Sequence, residues 1–194
     1  MPDILVHENA LPVEVFRRLS NAVRQVGDEA LRASYSTNFW FDFKAKARSI
    51  AEDAILRLLP LAQPGGRCVG AEWWLGRLKY GESLGIHADR DLSLHARTGE
   101  VRHPLRSSIL YLNRYRSSPT VLLHDAAGGK AIAPEPNRYV VYPGDLQHGV
   151  LAQRPAPERR SLRLTFLVNF WDRRPLAPAC RDYDGGVYRS LQDA

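Results

Sequence analysis

The stretch RRSLRLTFLVNFW (159–171) carries two interleaved rows of side chains. One row reads Arg160, Leu162, Leu164, Phe166, Val168 and Phe170; the other reads Arg159, Ser161, Arg163, Thr165, Leu167, Asn169 and Trp171. Successive side chains of an extended strand point to opposite faces, so this alternation predicts one long strand with its apolar row toward a core.

The residues before it repeat the texture on a shorter scale. VGAEWWLGRLKY (69–80), SLGIHAD (83–89), LRSSILYLN (105–113), PTVLLHD (119–125), KAIAP (130–134), RYVVYPG (138–144) and HGVLAQ (148–153) are separated by Gly, Pro, Asn and Asp. So many short strands in close succession predict a β-sandwich or jelly roll. Further upstream the period changes. Phe16, Leu19, Val23 and Val26 recur at helical spacing within 11–28, and Ile50, Ala54 and Leu58 do so within about 43–59, where Pro60 is expected to end the helix. The organisation expected is a single domain over 1–194, with N-terminal helices (1–64) bracing one sheet, a jelly-roll core (69–171) and a charged tail (172–194) that folds over the core or frays.

The bulk numbers suit such a module. A chain of 194 residues can bury a sizeable core without disulfides, and Cys68 and Cys180 are not in a CxxC pair. No apolar run approaches a membrane span and the start MPDILVHENALPVE lacks the marks of a signal peptide, so no membrane and a cytoplasmic location are expected. The net charge of +6 invites a polyanion, but the arginines are scattered rather than gathered in one block. A small-molecule or peptide substrate is the expected partner, with nucleic acid as the alternative; composition says nothing of oligomeric state.

Chemistry enters at YGESLGIHADRDLS (80–93). On an extended strand His87 and Asp89 share a face, and His148 in YPGDLQHGV opens a later strand. Two histidines and one carboxylate that leave coordination positions open are the set used by non-haem Fe(II) oxygenases. A lone His-x-Asp pair is common by chance, so the long strand must carry weight. Arg160 is in register with its apolar row; either it lies at the strand's mouth and reaches water, or it is buried and requires an anion, such as a ligand carboxylate held by its forked donors.

With His87, Asp89, His148 and Arg160 in this order, the region from about Glu72 to Trp171 resembles the Fe(II)- and 2-oxoglutarate-dependent dioxygenases, in particular their prolyl hydroxylase-like branch. YGESLGIHAD is similar to that family's approach to its metal motif, and RSSILYLN to the next strand, where a tyrosine, Tyr111 here, touches the co-substrate. DAAGGKAIAPEPNRYVVYPGDLQHGV resembles its Gly-Gly turn, Pro-rich turn and strand to the distal histidine. Two departures stand out. Glu158 replaces a glycine before the anchor, which keeps Arg159 and Arg163 as rivals to Arg160, with face parity favouring Arg160. The insert RDLSLHARTGEVRHP (90–104) matches no substrate signature.

The resemblance implies a mainly β, cupin-like double-stranded β-helix (jelly roll) holding Fe(II) through His87, Asp89 and His148. 2-Oxoglutarate would be anchored by Arg160 and Tyr111, and O2 consumed with release of succinate and CO2 as an unactivated C–H bond of an amino acid, peptide side chain or small metabolite is hydroxylated. The carboxylate of Asp89 stands where related halogenases have a small residue, which favours hydroxylation, desaturation or cyclisation. Position alone puts Arg90, Asp91, Trp74, Arg106, Asn169 and Trp171 at the substrate mouth. Alternatives are a nucleic-acid demethylase, against which Phe166 stands where a second arginine is expected, and a cupin-like metal enzyme that uses no oxo acid.

Overall fold

The computed structural model describes residues 3–34, 37–124, 128–151, 162–177 and 180–192. In chain order its elements are β1 (Leu5–His7), α1 (Val13–Val26), α2 (Asp28–Ala33), β2 (Asn38–Asp42), α3 (Ile50–Ala62), β3 (Gly70–Leu78), β4 (Leu84–His87), α4 (Leu92–Thr98), β5 (Arg106–Tyr111), β6 (Thr120–His124), β7 (Gly128–Ile132), β8 (Tyr139–Pro143), β9 (His148–Val150), β10 (Arg163–Trp171) and β11 (Cys180–Asp182). The strands form two sheets, the larger ordered β1-β8-β5-β10-β3-β2-β11 and the smaller β4-β9-β6-β7. The eight strands from β3 to β10 form the expected jelly roll, while β1, β2 and β11 extend the edges of the larger sheet.

Period two governs both faces of that sheet. Antiparallel pairing sets Phe166 opposite Leu110 and Leu75, and Val168 opposite Ser108 and Trp73. This row packs with Leu19 and Val23 of α1 and with Ala54, Ile55 and Leu58 of α3 in the main apolar core. The other row sets Leu167 opposite Ile109 and Trp74, and Asn169 opposite Ser107 and Glu72. That row faces the interior of the roll, whose smaller core contains Ile109, Tyr111, Leu122, Val140 and Tyr142.

Several expectations shift. The second helix starts at Ile50 because Ser49 caps it, its hydroxyl accepting from Glu52 N at 3.2 Å. It runs through Pro60 to Ala62, since a proline in the last turn removes only one backbone bond. The charged insert contains the short helix α4, and β1, β2, α2 and β11 lie outside the strands and helices expected individually. The tail packs: Tyr183, Tyr188 and Leu191 join the helix-side core and Ser190 Oγ donates to Ala22 O. No helix among the described residues is long and apolar enough to cross a membrane.

Candidate metal centre and its two cavities

His87 and His148 are cross-strand partners where β4 meets β9, which places their rings 4.5 Å apart. The pairing is irregular between Leu84 and His87, and such bulges re-aim side chains beside functional sites. Gly149 permits the close approach: a Cβ there would lie 2.7 Å from Leu84 O. Asp89 comes just after β4 rather than on it. Its Oδ1 is 3.7 Å from His87 Nε2 and its Oδ2 3.8 Å from His148 Nε2, and the three donor atoms lie within 4.8 Å of one another.

Second contacts aim all three residues. Nδ1 of His87 lies 2.8 Å from Gly85 O and Nδ1 of His148 3.0 Å from Leu146 O, so each Nδ1–H donates to a carbonyl and each Nε2 keeps its lone pair for the centre. Ser107 Oγ donates to Asp89 Oδ2 at 2.7 Å, and His103 Nδ1 donates to Asp89 O at 2.6 Å. Burial lowers the pKa of His148 from its ordinary value, against the pull of Asp89, and so favours the neutral imidazole that ligates. Two neutral nitrogens and a carboxylate fit an Fe(II)-type ion with open positions.

On the inner side of the triad lies a cavity of about 140 Å³. Leu84, Ile109, Val150 and Leu167 are among its walls, and Thr120, Thr165 and Arg163 also line it. Arg163 is 4% exposed; its Nε donates to Ser118 O at 3.1 Å and one terminal nitrogen to Thr120 Oγ1 at 2.7 Å, with the guanidinium over the Tyr111 ring. Tyr111 Oη also donates to Thr120 Oγ1, at 2.7 Å. Both lone pairs of that hydroxyl are thus occupied, leaving its hydrogen to point elsewhere. Gly76, on the inward row of β3, keeps the floor open: a Cβ there would collide with Thr165 Oγ1.

The outer cavity, about 630 Å³, is the mouth. His87 and Asp89 line both cavities, as does Trp74, while Arg90, His103, Gln147, Asn38, Glu72 and Asn169 line the mouth alone. Glu72 is 7% exposed, and burial pushes its carboxyl up to about 7, opposed by donation from Asn38 and reinforced by the charge of Asp89.

Of the residues expected at the mouth, Arg90, Trp74 and Asn169 line it. Asp91 does not: it is buried, caps α4 by accepting from Leu94 N, and also accepts from Arg173 and from Leu176 N. Arg106 lies opposite Phe170 in the helix-facing row, and Trp171 is buried with Nε1 donating to Glu72 Oε2 at 3.2 Å. Neither lines either of these two cavities. Arg160, the expected anchor, lies outside the described residues. The apolar row of β10 does face a core, the one shared with the helices, and the mixed row containing Arg163 meets the cavity. Thr120, Ser107, Glu72 and Asn38 were missed, and only the register of the larger sheet and the facing smaller sheet reveals them.

No family model matches the chain, and no curated protein matches it in sequence. Solved structures do match in fold. A prolyl-4-hydroxylase from Pseudomonas putida aligns with a TM-score of 0.61 at 17% identity, covering 89% of each chain. HygX from Streptomyces hygroscopicus, solved with nickel and 2-oxoglutarate bound, aligns at 0.56 and 12% identity, over 88% of this chain and 82% of its own. A 2OG-Fe(II) oxygenase family oxidoreductase from Burkholderia pseudomallei aligns at 0.56 and 15%, over 93% and 88%. The fold is therefore the one these oxygenases share.

Proposed function

We propose that this protein is an Fe(II)- and 2-oxoglutarate-dependent oxygenase that hydroxylates a C–H bond of an amino acid, peptide side chain or small metabolite. The observation that carries the reading is a single cavity with the His87, Asp89 and His148 donors at one end and the buried Arg163 in its lining. When bound, the iron supplies O2 activation coupled to decarboxylation of the oxo acid, with succinate and CO2 as products.

The chain's own residues then have distinct tasks. His87 and His148 offer Nε2 to the ion, held by their Nδ1–H bonds, and Ser107 orients Asp89. Arg163 is assigned the distal carboxylate of 2-oxoglutarate, with the Thr120 hydroxyl donating beside it; Tyr111 acts through Thr120 as a positioning residue. The apolar walls Leu84, Ile109, Val150 and Leu167 keep water from the co-substrate. The 2-oxoglutarate set sits inward and leaves the mouth for the primary substrate. A metal enzyme without an oxo acid has no use for Arg163 in that lining.

Anaerobic titration with Fe(II) and 2-oxoglutarate tests the reading. The expected result is a weak visible charge-transfer band that saturates at one chelate per chain; no band in the wild type overturns it.

A further inference from the structure

One rung of the larger sheet runs from the metal centre to the wall of the mouth. Ser107 on β5, Asn169 on β10 and Glu72 on β3 are cross-strand neighbours on the inward face. Ser107 holds Asp89, and Glu72 lies two strands further on, about 10 Å away between backbones.

Glu72 accepts from Asn38 Nδ2 at 2.8 Å through Oε1 and from Trp171 Nε1 through Oε2. Both donors are neutral. A carboxylate offers about four acceptor positions, so capacity remains. Among the described residues no Lys, Arg or His forms an ion pair with Glu72, and the charges acting on it are the carboxylates of Asp89 and Asp91. A carboxylate in such a place is costly to ionise unless a cation comes to it. Two residues inward on the same face of β3, Trp74 offers its ring to the same cavity, and Ile86 and Leu92 add exposed apolar surface at the rim. Arg90, the cation in this lining, is exposed.

We infer that the mouth takes a substrate bearing a protonated amine, which docks on Glu72 beside Asn38 and Trp74 and so presents a carbon remote from the amine to the metal centre. The inference rests on the oxygenase reading for what happens at that carbon, but the amine site stands on the cavity alone. Its energetics follow from the free state: burial raises the Glu72 pKa, and a docked ammonium relieves that penalty.

The probes are 1,5-diaminopentane and its neutral analogue 1,5-pentanediol, titrated calorimetrically into protein held anaerobically with Fe(II) and 2-oxoglutarate. The diamine is expected to bind at least about tenfold more tightly than the diol, and Glu72→Gln to reduce the difference to within about twofold while Glu72→Asp retains part of it. Equal affinities in the wild type, or a preference that survives Glu72→Gln, overturn the inference. The wild-type comparison alone decides if the variant fails to fold. A visible band without amine preference refutes this inference and spares the oxygenase reading; amine preference without a band does the reverse.

Discussion

On one face of β10, Leu164, Phe166, Val168 and Phe170 are buried among side chains of α1 and α3; on the other, Arg163, Thr165, Leu167 and Asn169 line the cavities at the metal centre. Both rows are almost wholly withdrawn from water, yet they differ in chemistry. The uniform row holds the sheet to its helices. The mixed row is graded along the strand, from a cation at the inner end, through an apolar step, to an amide at the mouth. In a roll of this kind the interior is the workplace, and the helix-packed outside is the scaffold.

Four substitutions and one matched control test that contrast. Phe166→Ala strikes the scaffold: the ring is fully buried, and its loss is expected to destabilise the protein by about 3–5 kcal/mol in denaturant unfolding. Affinity for 2-oxoglutarate in the remaining folded protein should be unchanged, and a parallel loss would show that the two faces are not separable.

Glu72→Gln probes the inward row through pH. The folded-state pKa near 7 is above the ordinary 4.5, so the folded chain holds the proton more tightly than the unfolded one. That contribution is complete below about 4.5 and is lost as pH rises through 7, an effect on the order of 3 kcal/mol. The stability difference between wild type and variant should therefore move against the wild type between pH 5 and 8. Parallel curves would mean that Glu72 is already compensated.

Arg163→Met removes one cation from the inner lining and should weaken 2-oxoglutarate binding about 100-fold, equivalent to about 2.7 kcal/mol, as read from the charge-transfer band. Arg160→Met is the matched control. If it carries the loss instead, the anchor belongs to the other row. The smallest effect is expected from Ser107→Ala, which frees Asp89 Oδ2 from its donor and should lower metal affinity about tenfold without changing 2-oxoglutarate affinity in the metal-saturated protein. Unaltered metal affinity would leave Ser107 no positioning role.

Much of this was legible in one dimension. His87, Asp89 and His148 could be named because their types and order are constrained by coordination chemistry, and the strands of the roll because their period is two. Asp91 was misread: a carboxylate next to the metal motif looks available, and only the helix that starts there shows its oxygens taken by Leu94, Arg173 and Leu176. Arg106 was placed at the mouth by position alone, and strand register puts it opposite Phe170 in the row that faces the helices. Thr120 and Glu72 carried no signal, because a threonine at a strand start and a glutamate in an apolar strand acquire meaning only from what stands opposite.

Strand alternation, the helices before it and the ligand types could be read along the chain, since these rest on local periodicity and on the chemistry of single side chains. Which row of β10 turns inward, that Arg163 lines the inner cavity, and how one polar rung joins the metal centre to the mouth follow only from sheet register and from what stands opposite. The physical reason is that a buried row is defined by its neighbours: an apolar face can be covered by helices or by a second sheet, and alternation reads the same in both cases.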